Sequence, residues 1–347
     1  FIMAYTTINK STDYFSTKLY TGNSSANHAI TGVGHAPDFV WLKRRTSATD
    51  NSLYDAVRGA TKSLRSESAD PEATSTGLTS FDSDGFTVGS AGTQNGGDMV
   101  SWNWKANGQG SANTSGSINT TYTSANTTSG FSIVKYTGTG STGTVAHGLG
   151  TVPKIYFVKN LDTSDSWNVF AKTGDMDENY RLLLDTSGAR IADGDAWNSQ
   201  VPTSSFFTVG SNTGTNKSGS NMIAYVFSEV KGFSKFGQYT GNGSADGAYV
   251  CTGFKPAWIL LKRFDSGTLD WNIYDSKRLG YNGGDAPLFA NLSNAESNDY
   301  GRIDFLSNGF KIRSSNDQVN NPGGKYLYMC LAEAPLVGSN NVPANAR

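Results

Sequence analysis

Tyr136-Thr137-Gly138, followed by Gly150-Thr151-Val152-Pro153-Lys154-Ile155-Tyr156-Phe157-Val158-Lys159, decides how this chain is read, because its pattern occurs three times. Tyr20, Tyr136 and Tyr239 each open a Tyr-Thr-Gly, and Pro37, Pro153 and Pro256 each lie 17 residues further on. Gly34, Gly150 and Gly253 precede the prolines by three positions; Lys43, Lys159 and Lys262 follow them by six. Chance does not hold five positions in register three times. A self-similar period of this kind means that fold and function are to be read repeat by repeat.

The residues after each proline form short apolar runs rich in β-branched and aromatic side chains: Phe39-Val40-Trp41-Leu42, Ile155-Tyr156-Phe157-Val158 and Trp258-Ile259-Leu260-Leu261. A turn signal in front and a missing N–H at the first position suit the start of a strand. Apolar residues on both faces predict a strand covered on both sides. A second strand is expected at Leu53-Tyr54, Val169-Phe170 and Ile273-Tyr274. Asp84-Gly85 and Asn308-Gly309 precede alternating runs and predict hairpins whose central residues take positive φ. Aromatic closing strands are expected at 100–104, 223–227 and 326–331.

Composition agrees with an all-β chain. Of 347 residues, 40 are Gly and 16% are charged, below the ~25% of ordinary soluble domains. Ser, Thr and Asn abound, whereas helices favour Ala, Leu, Glu and Lys. The net charge of −1 provides no basic field for nucleic acid or an anionic membrane, and no apolar run approaches the ~20 residues of a bilayer span. The spacing predicts three tandem β-sandwich units of jelly-roll or lectin-like type, derived from one triplicated module. Propeller blades repeat every ~40–50 residues and are too short for this period. The units are placed at 1–105, 131–231 and 232–336. Residues 106–130, uncharged and made of small polar residues, read as a linker, and 337–347 as an irregular tail. Met3 is a candidate start.

Segments Gly116-Ser117-Ile118, Gly130-Phe131-Ser132-Ile133-Val134-Lys135-Tyr136-Thr137-Gly138 and His147-Gly148-Leu149-Gly150 with Pro153 resemble a repeat of tail-fibre-like structural proteins of tailed bacteriophages, marine ones especially. Glu229-Val230-Lys231-Gly232-Phe233-Ser234-Lys235-Phe236, the closing Ala332-Glu333-Ala334-Pro335-Leu336 with Pro343 to Arg347, and the opening Met3 to Lys10 are similar to the same group. The resemblance implies a virion component, such as a fibre, spike or surface decoration, assembled in the host cytoplasm and displayed on the particle. Its implied partners are other virion proteins, further copies of itself (a trimer by analogy) and host surface glycans. It brings no catalytic residue and no cofactor, so the expected protein is not an enzyme. A carbohydrate-binding adhesin is the alternative, and a polysaccharide depolymerase a more distant one.

Candidate sites are few. Trp197, Tyr281 and Tyr300 are the candidates for stacking on a glycan, although aromatics at matching offsets suit core packing as well. His28, His35 and His147 do not recur between repeats, which argues for turn or surface roles and against a metal site. Asp82-Ser83-Asp84, Asp175-Met176-Asp177-Glu178 and Asp193-Gly194-Asp195 are read as loop acids with no calcium-loop spacing. The recurring Lys43, Lys159 and Lys262 are expected to reach solvent or guard a sheet edge. Cys251 and Cys330 read as two buried thiols, with a disulfide across neighbouring strands as the alternative.

Overall fold

The computed structural model describes residues 6–278, 286–296 and 302–335. Tyr281, Tyr300, Met3 and the tail 337–347 lie outside them. The chain is all-β, built from several antiparallel sheets.

One arrangement appears in each of the three larger sheets. The first runs Phe15–Thr21, Asp98–Trp104, Phe39–Arg44, Ser52–Asp55. The second contains Phe131–Thr137, Asn221–Phe227, Ile155–Asn160, Asn168–Ala171 in the same order. The third runs Ser234–Thr240, Lys325–Pro335, Phe254–Arg263, Asn272–Asp275 and adds Leu288–Phe289. In each case the strand after the proline is central, with the closing strand on one side and the next strand on the other.

The recurring glycines are explained by their backbone. Gly34, Gly150 and Gly253 have φ of 95°, 71° and 80°, a region that side chains with a Cβ enter at a cost. The Tyr-Thr-Gly glycines solve a different problem. A Cβ on Gly22 would stand 2.2 Å from the carbonyl carbon of Asn95, and one on Gly138 or Gly241 would stand 2.3 Å from the carbonyl oxygen of Lys217 or Asn321. The tyrosines of the motif donate across the same gap. Tyr20, Tyr136 and Tyr239 each bond a carbonyl 2.6 Å away, at Gln94, Thr215 and Val319.

Strand alternation sends the central strands two ways. Val40 and Leu42 pack with Phe86, Val88 and Ile30 of a small sheet on the outer face, which gives the sheet-on-sheet character the spacing implied. Tyr156 and Val158 do the same with Phe207 and Val209. The inner residues Phe39, Trp41, Phe157, Trp258 and Leu260 all join one cluster that draws on the whole chain. Phe39 stacks on Tyr225 with ring centroids 4.4 Å apart, and Trp104 meets Trp258 edge-on at 5.5 Å. At the meeting point lies an apolar cavity of about 20 Å³ lined by Phe39, Trp104, Phe157, Tyr225 and Trp258 among others. The two-faced burial predicted for these strands is therefore present, with a shared centre covering one face.

Residues 106–130 depart from the linker expectation. Ser111–Asn113 and Thr120–Asn126 are strands, and the latter pairs along Phe131–Thr137 from Thr120↔Tyr136 to Asn126↔Phe131. Ser111–Asn113 forms the sheet edge with Thr120–Asn126 next to it, and strands held there by their backbone partners can be built of small polar residues. Ser124 is buried, donates to the Gly108 carbonyl at 2.6 Å and accepts from the Asn107 amide at 2.8 Å. Both hairpins form, closing at Asp82↔Gly85 and Leu306↔Gly309. Their turn residues Ser83, Asp84, Ser307 and Asn308 do not take positive φ. The Asp84 carboxylate instead accepts from the amides of Gly34 at 2.7 Å and Gly32 at 3.0 Å, which holds its carboxyl below the ordinary range.

Candidate functional site

The polar residues that recur in this chain converge on the joints between the parts carrying the three larger sheets, here called the first, second and third segments. Lys43, Lys159 and Lys262 are fully buried. Lys159 in the second segment donates to the Ala69 carbonyl of the first at 3.1 Å. Lys262 in the third donates to Ser187 of the second at 2.8 Å. Lys43 in the first donates to Ser293 of the third at 2.8 Å. The acceptors are themselves equivalent, since Leu64, Leu182 and Leu288 sit opposite Leu53, Val169 and Ile273 and each acceptor lies five residues later. Burial pushes all three ammonium groups down to about 8. The expectation that these lysines reach solvent is thus corrected. Each sits at the end of a strand covered on both faces and donates to main-chain carbonyls.

Backbone bonds repeat the pattern. The amides of Glu72, Arg190 and Glu296 donate to the carbonyls of Leu161, Phe264 and Arg45, at 2.9, 2.8 and 2.8 Å. The indoles of Trp167 and Trp271 donate to Arg65 and Leu183 of the preceding segment at 2.7 and 2.9 Å. At the same place in the first segment stands Asn51, whose amide donates to Phe289 of the third at 3.2 Å. Second seats on first, third on second and first on third, so the joints close a ring.

Two joints also carry a buried ion pair. Asp55 and Arg58 are joined at 2.5 Å, and Tyr225 of the second segment donates to Asp55 at 2.7 Å. Asp275 and Arg278 are joined at 2.6 Å, and the Trp102 indole of the first segment donates to Asp275 at 3.1 Å. A buried charge is tolerated when paired and bonded in this way.

A further trio escaped the sequence reading. Asn95, Asn216 and Asn320 are fully buried. Their side-chain oxygens accept from the amides of Asn23, Thr139 and Asn242, which begin the loops after each Tyr-Thr-Gly, at 2.9, 2.8 and 2.8 Å. Their nitrogens donate to two carbonyls each, Ser25 and Gly89, Ser141 and Gly210, Ser244 and Ser314. The signal was an Asn shortly before each closing strand. It was hidden because its distance from the tyrosine varies.

The residues singled out earlier fall elsewhere. Trp197 is fully buried, bonds the Tyr180 carbonyl at 3.1 Å and packs edge-on against Tyr156 at 5.0 Å, so it offers no face to a sugar. Its glycan role is corrected to core packing. His35 and His147 are buried, not exposed. His35 bonds the Thr12 carbonyl, and burial lowers it to about 4. His147 faces the Thr203 carbonyl at 3.1 Å. Asp193 caps the amides of Asp195 and Ala196 and pairs with Arg181 at 2.7 Å. Cys330 is buried as expected, but Cys251 is exposed, and both are free thiols. Among the described residues no group of three His, Cys, Asp or Glu side chains is placed to hold a metal.

A fold of interlocked antiparallel sheets with its polar chemistry in the seams defines an all-β scaffold. Residues 10–335 match the family described as a domain of unknown function, DUF7483, and the chain belongs to that family. No curated protein and no solved structure matches it.

Proposed function

We propose that this chain is a non-enzymatic structural component of a tailed bacteriophage particle, displayed on its surface as part of a fibre, spike or decoration. In this reading the three segments are β-sandwich units copied from one module, and the ring they close is the building block. The observation that carries the proposal is the use of Lys43, Lys159 and Lys262 on carbonyls of the adjoining segment. Groups that a catalyst would present to a substrate are spent on rigidity. A rigid closed ring suits a part that must hold its loops outward under mechanical load. A fibre obtains threefold geometry from three chains; here one chain supplies three segments. Further copies and other virion proteins then act through avidity.

An antibody raised against the purified chain tests this. Gold label on tails or capsids of particles that carry the gene supports the proposal. Particles of that genotype free of label, with the protein found only in the soluble lysate, would overturn it.

A further inference from the structure

The joints differ at a pair of facing positions, and the differences match across each seam. Asp55, Ala171 and Asp275 are equivalent by register, standing opposite Phe39, Ile155 and Trp258. Trp102, Tyr225 and Met329 are equivalent in the same way, standing opposite Trp41, Phe157 and Leu260. Going round the ring, Asp55 receives Tyr225 and Asp275 receives Trp102. At the remaining seam the equivalent positions hold Ala171 and Met329, so the acceptor and the donor are missing together. Val169, two residues before Ala171, lines one small void with Met329. Gly174 stands where the other segments have Arg58 and Arg278. So the second segment lacks acid and arginine together, and the third segment, which seats on it, lacks the donor.

We propose that this pair of positions is a pairing code that fixes which segment seats on which. An acid–arginine pair selects a partner with an indole N–H or phenol O–H, and an alanine selects a partner without a donor. The physical basis is the cost asymmetry of buried polar groups. A donor facing an acceptor is satisfied, whereas the same donor facing alanine is stranded, and an acid facing methionine loses one of its bonds. Specificity then comes as much from the penalty on wrong neighbours as from the bond itself. Segments so alike elsewhere need such a device, since their lysine and backbone bonds would accept any neighbour. By the same rule the first segment alone is compatible with itself, because it carries both the Asp55–Arg58 pair and the Trp102 donor.

The test uses the full chain and the phenol hydroxyl as probe, with thermal unfolding as the readout. Tyr225→Phe removes a hydroxyl that has an acceptor and lowers the midpoint by about 2–4 °C. Met329→Phe and Met329→Tyr place the same two rings at the seam without an acceptor, and there the tyrosine variant melts below the phenylalanine one. The hydroxyl thus has opposite signs at equivalent positions. In an Asp55→Asn background the loss from Tyr225→Phe shrinks, which ties the effect to the acid. The same sign of hydroxyl effect at 225 and 329, or a Tyr225→Phe loss unchanged by Asp55→Asn, overturns the code. At each site the comparison is between a tyrosine and a phenylalanine of the same ring size, so the difference reads the hydroxyl alone.

Discussion

The inner and outer faces of the three central strands make a telling contrast. Outward, Val40 and Leu42 pack within their own segment against Phe86 and Val88. Inward, Phe39, Trp41, Phe157 and Trp258 meet residues of every segment. The outer faces are covered by strands of the same segment, as where Gly143–Ala146 pairs with Phe206–Val209, so each can form without a neighbouring segment. The inner face exists only when all three segments are in place. Integrity of the ring therefore rests on the inner aromatics, and local order on the outer layers.

The sharpest way to break that contrast is Trp258→Ala. It removes an indole that touches Phe15, Trp102 and Trp104 across the centre. Loss of a buried aromatic costs about 3–5 kcal/mol. Because the cluster is shared, denaturant unfolding is expected to stay one transition with a lower midpoint when followed by tryptophan fluorescence and by circular dichroism. Two separated transitions would show that the segments unfold independently and that the centre does not bind them.

A smaller effect is expected from Lys159→Met, which keeps the apolar stem and removes the ammonium group. The carbonyls of Ala69 and Asn160 each lose a donor. Leaving such groups unsatisfied costs about 1–3 kcal/mol, offset in part by the desolvation no longer paid for the charge. Lys10→Met, at a side chain 65% exposed, serves as the control and changes stability by at most about 0.5 kcal/mol. Equal responses at 159 and 10 would mean that the seam contributes nothing.

The sequence made the two faces legible but not what lies between them. The Gly-x-x-Pro and Tyr-Thr-Gly positions marked turns and strand starts because backbone geometry restricts which residues fit. Apolar runs such as Ile155–Val158 showed double burial through composition alone. They could not show that the second cover is another segment, since a period along the chain carries no information about closure in space. Thr120–Asn126 was hidden because its bonds are made by the backbone. The lysines were misjudged because their recurrence was visible and their acceptors, plain carbonyls of Ala69, Ser187 and Ser293, leave no mark in a sequence.

The lysines also give a pH signature. Their folded values near 8 lie below the ordinary 10.5. Between those limits the unfolded chain binds more protons than the folded one, so stability rises with pH from about 8 towards 10. Above pH 10 the sign reverses. Tyr136, Tyr156 and Tyr239 are held far above 10.0 by burial, so the folded chain retains protons that the unfolded one gives up. On the acid side, burial pushes Glu67 to about 7 from 4.5, which costs stability as pH rises through that range. His35, lowered to about 4 from 6.5, acts the opposite way there and blunts the trend. Urea midpoints at pH 7.5, 8.5 and 9.5 check the expected rise. A flat or falling series would mean that the ammonium groups are not desolvated and the seams are wet.

The smallest expected effect belongs to the outer rim, at the one-turn helix Thr213–Asn216. Asn212 caps it by accepting from the Gly214 amide at 2.8 Å, and its own amide group bonds Asp193 at 2.9 Å. Asn212→Ala costs about 1 kcal/mol, the usual loss for such a cap. The helix holds Asn216, which anchors the loop starting at Thr139. The damage should therefore be read locally, as faster amide exchange at Gly214, Thr139 and neighbouring loop positions, while exchange at Phe157 and Tyr225 in the shared centre stays slow. If the central amides speed up equally, the outer layer is not separable from the ring, and the division of labour between the two faces fails.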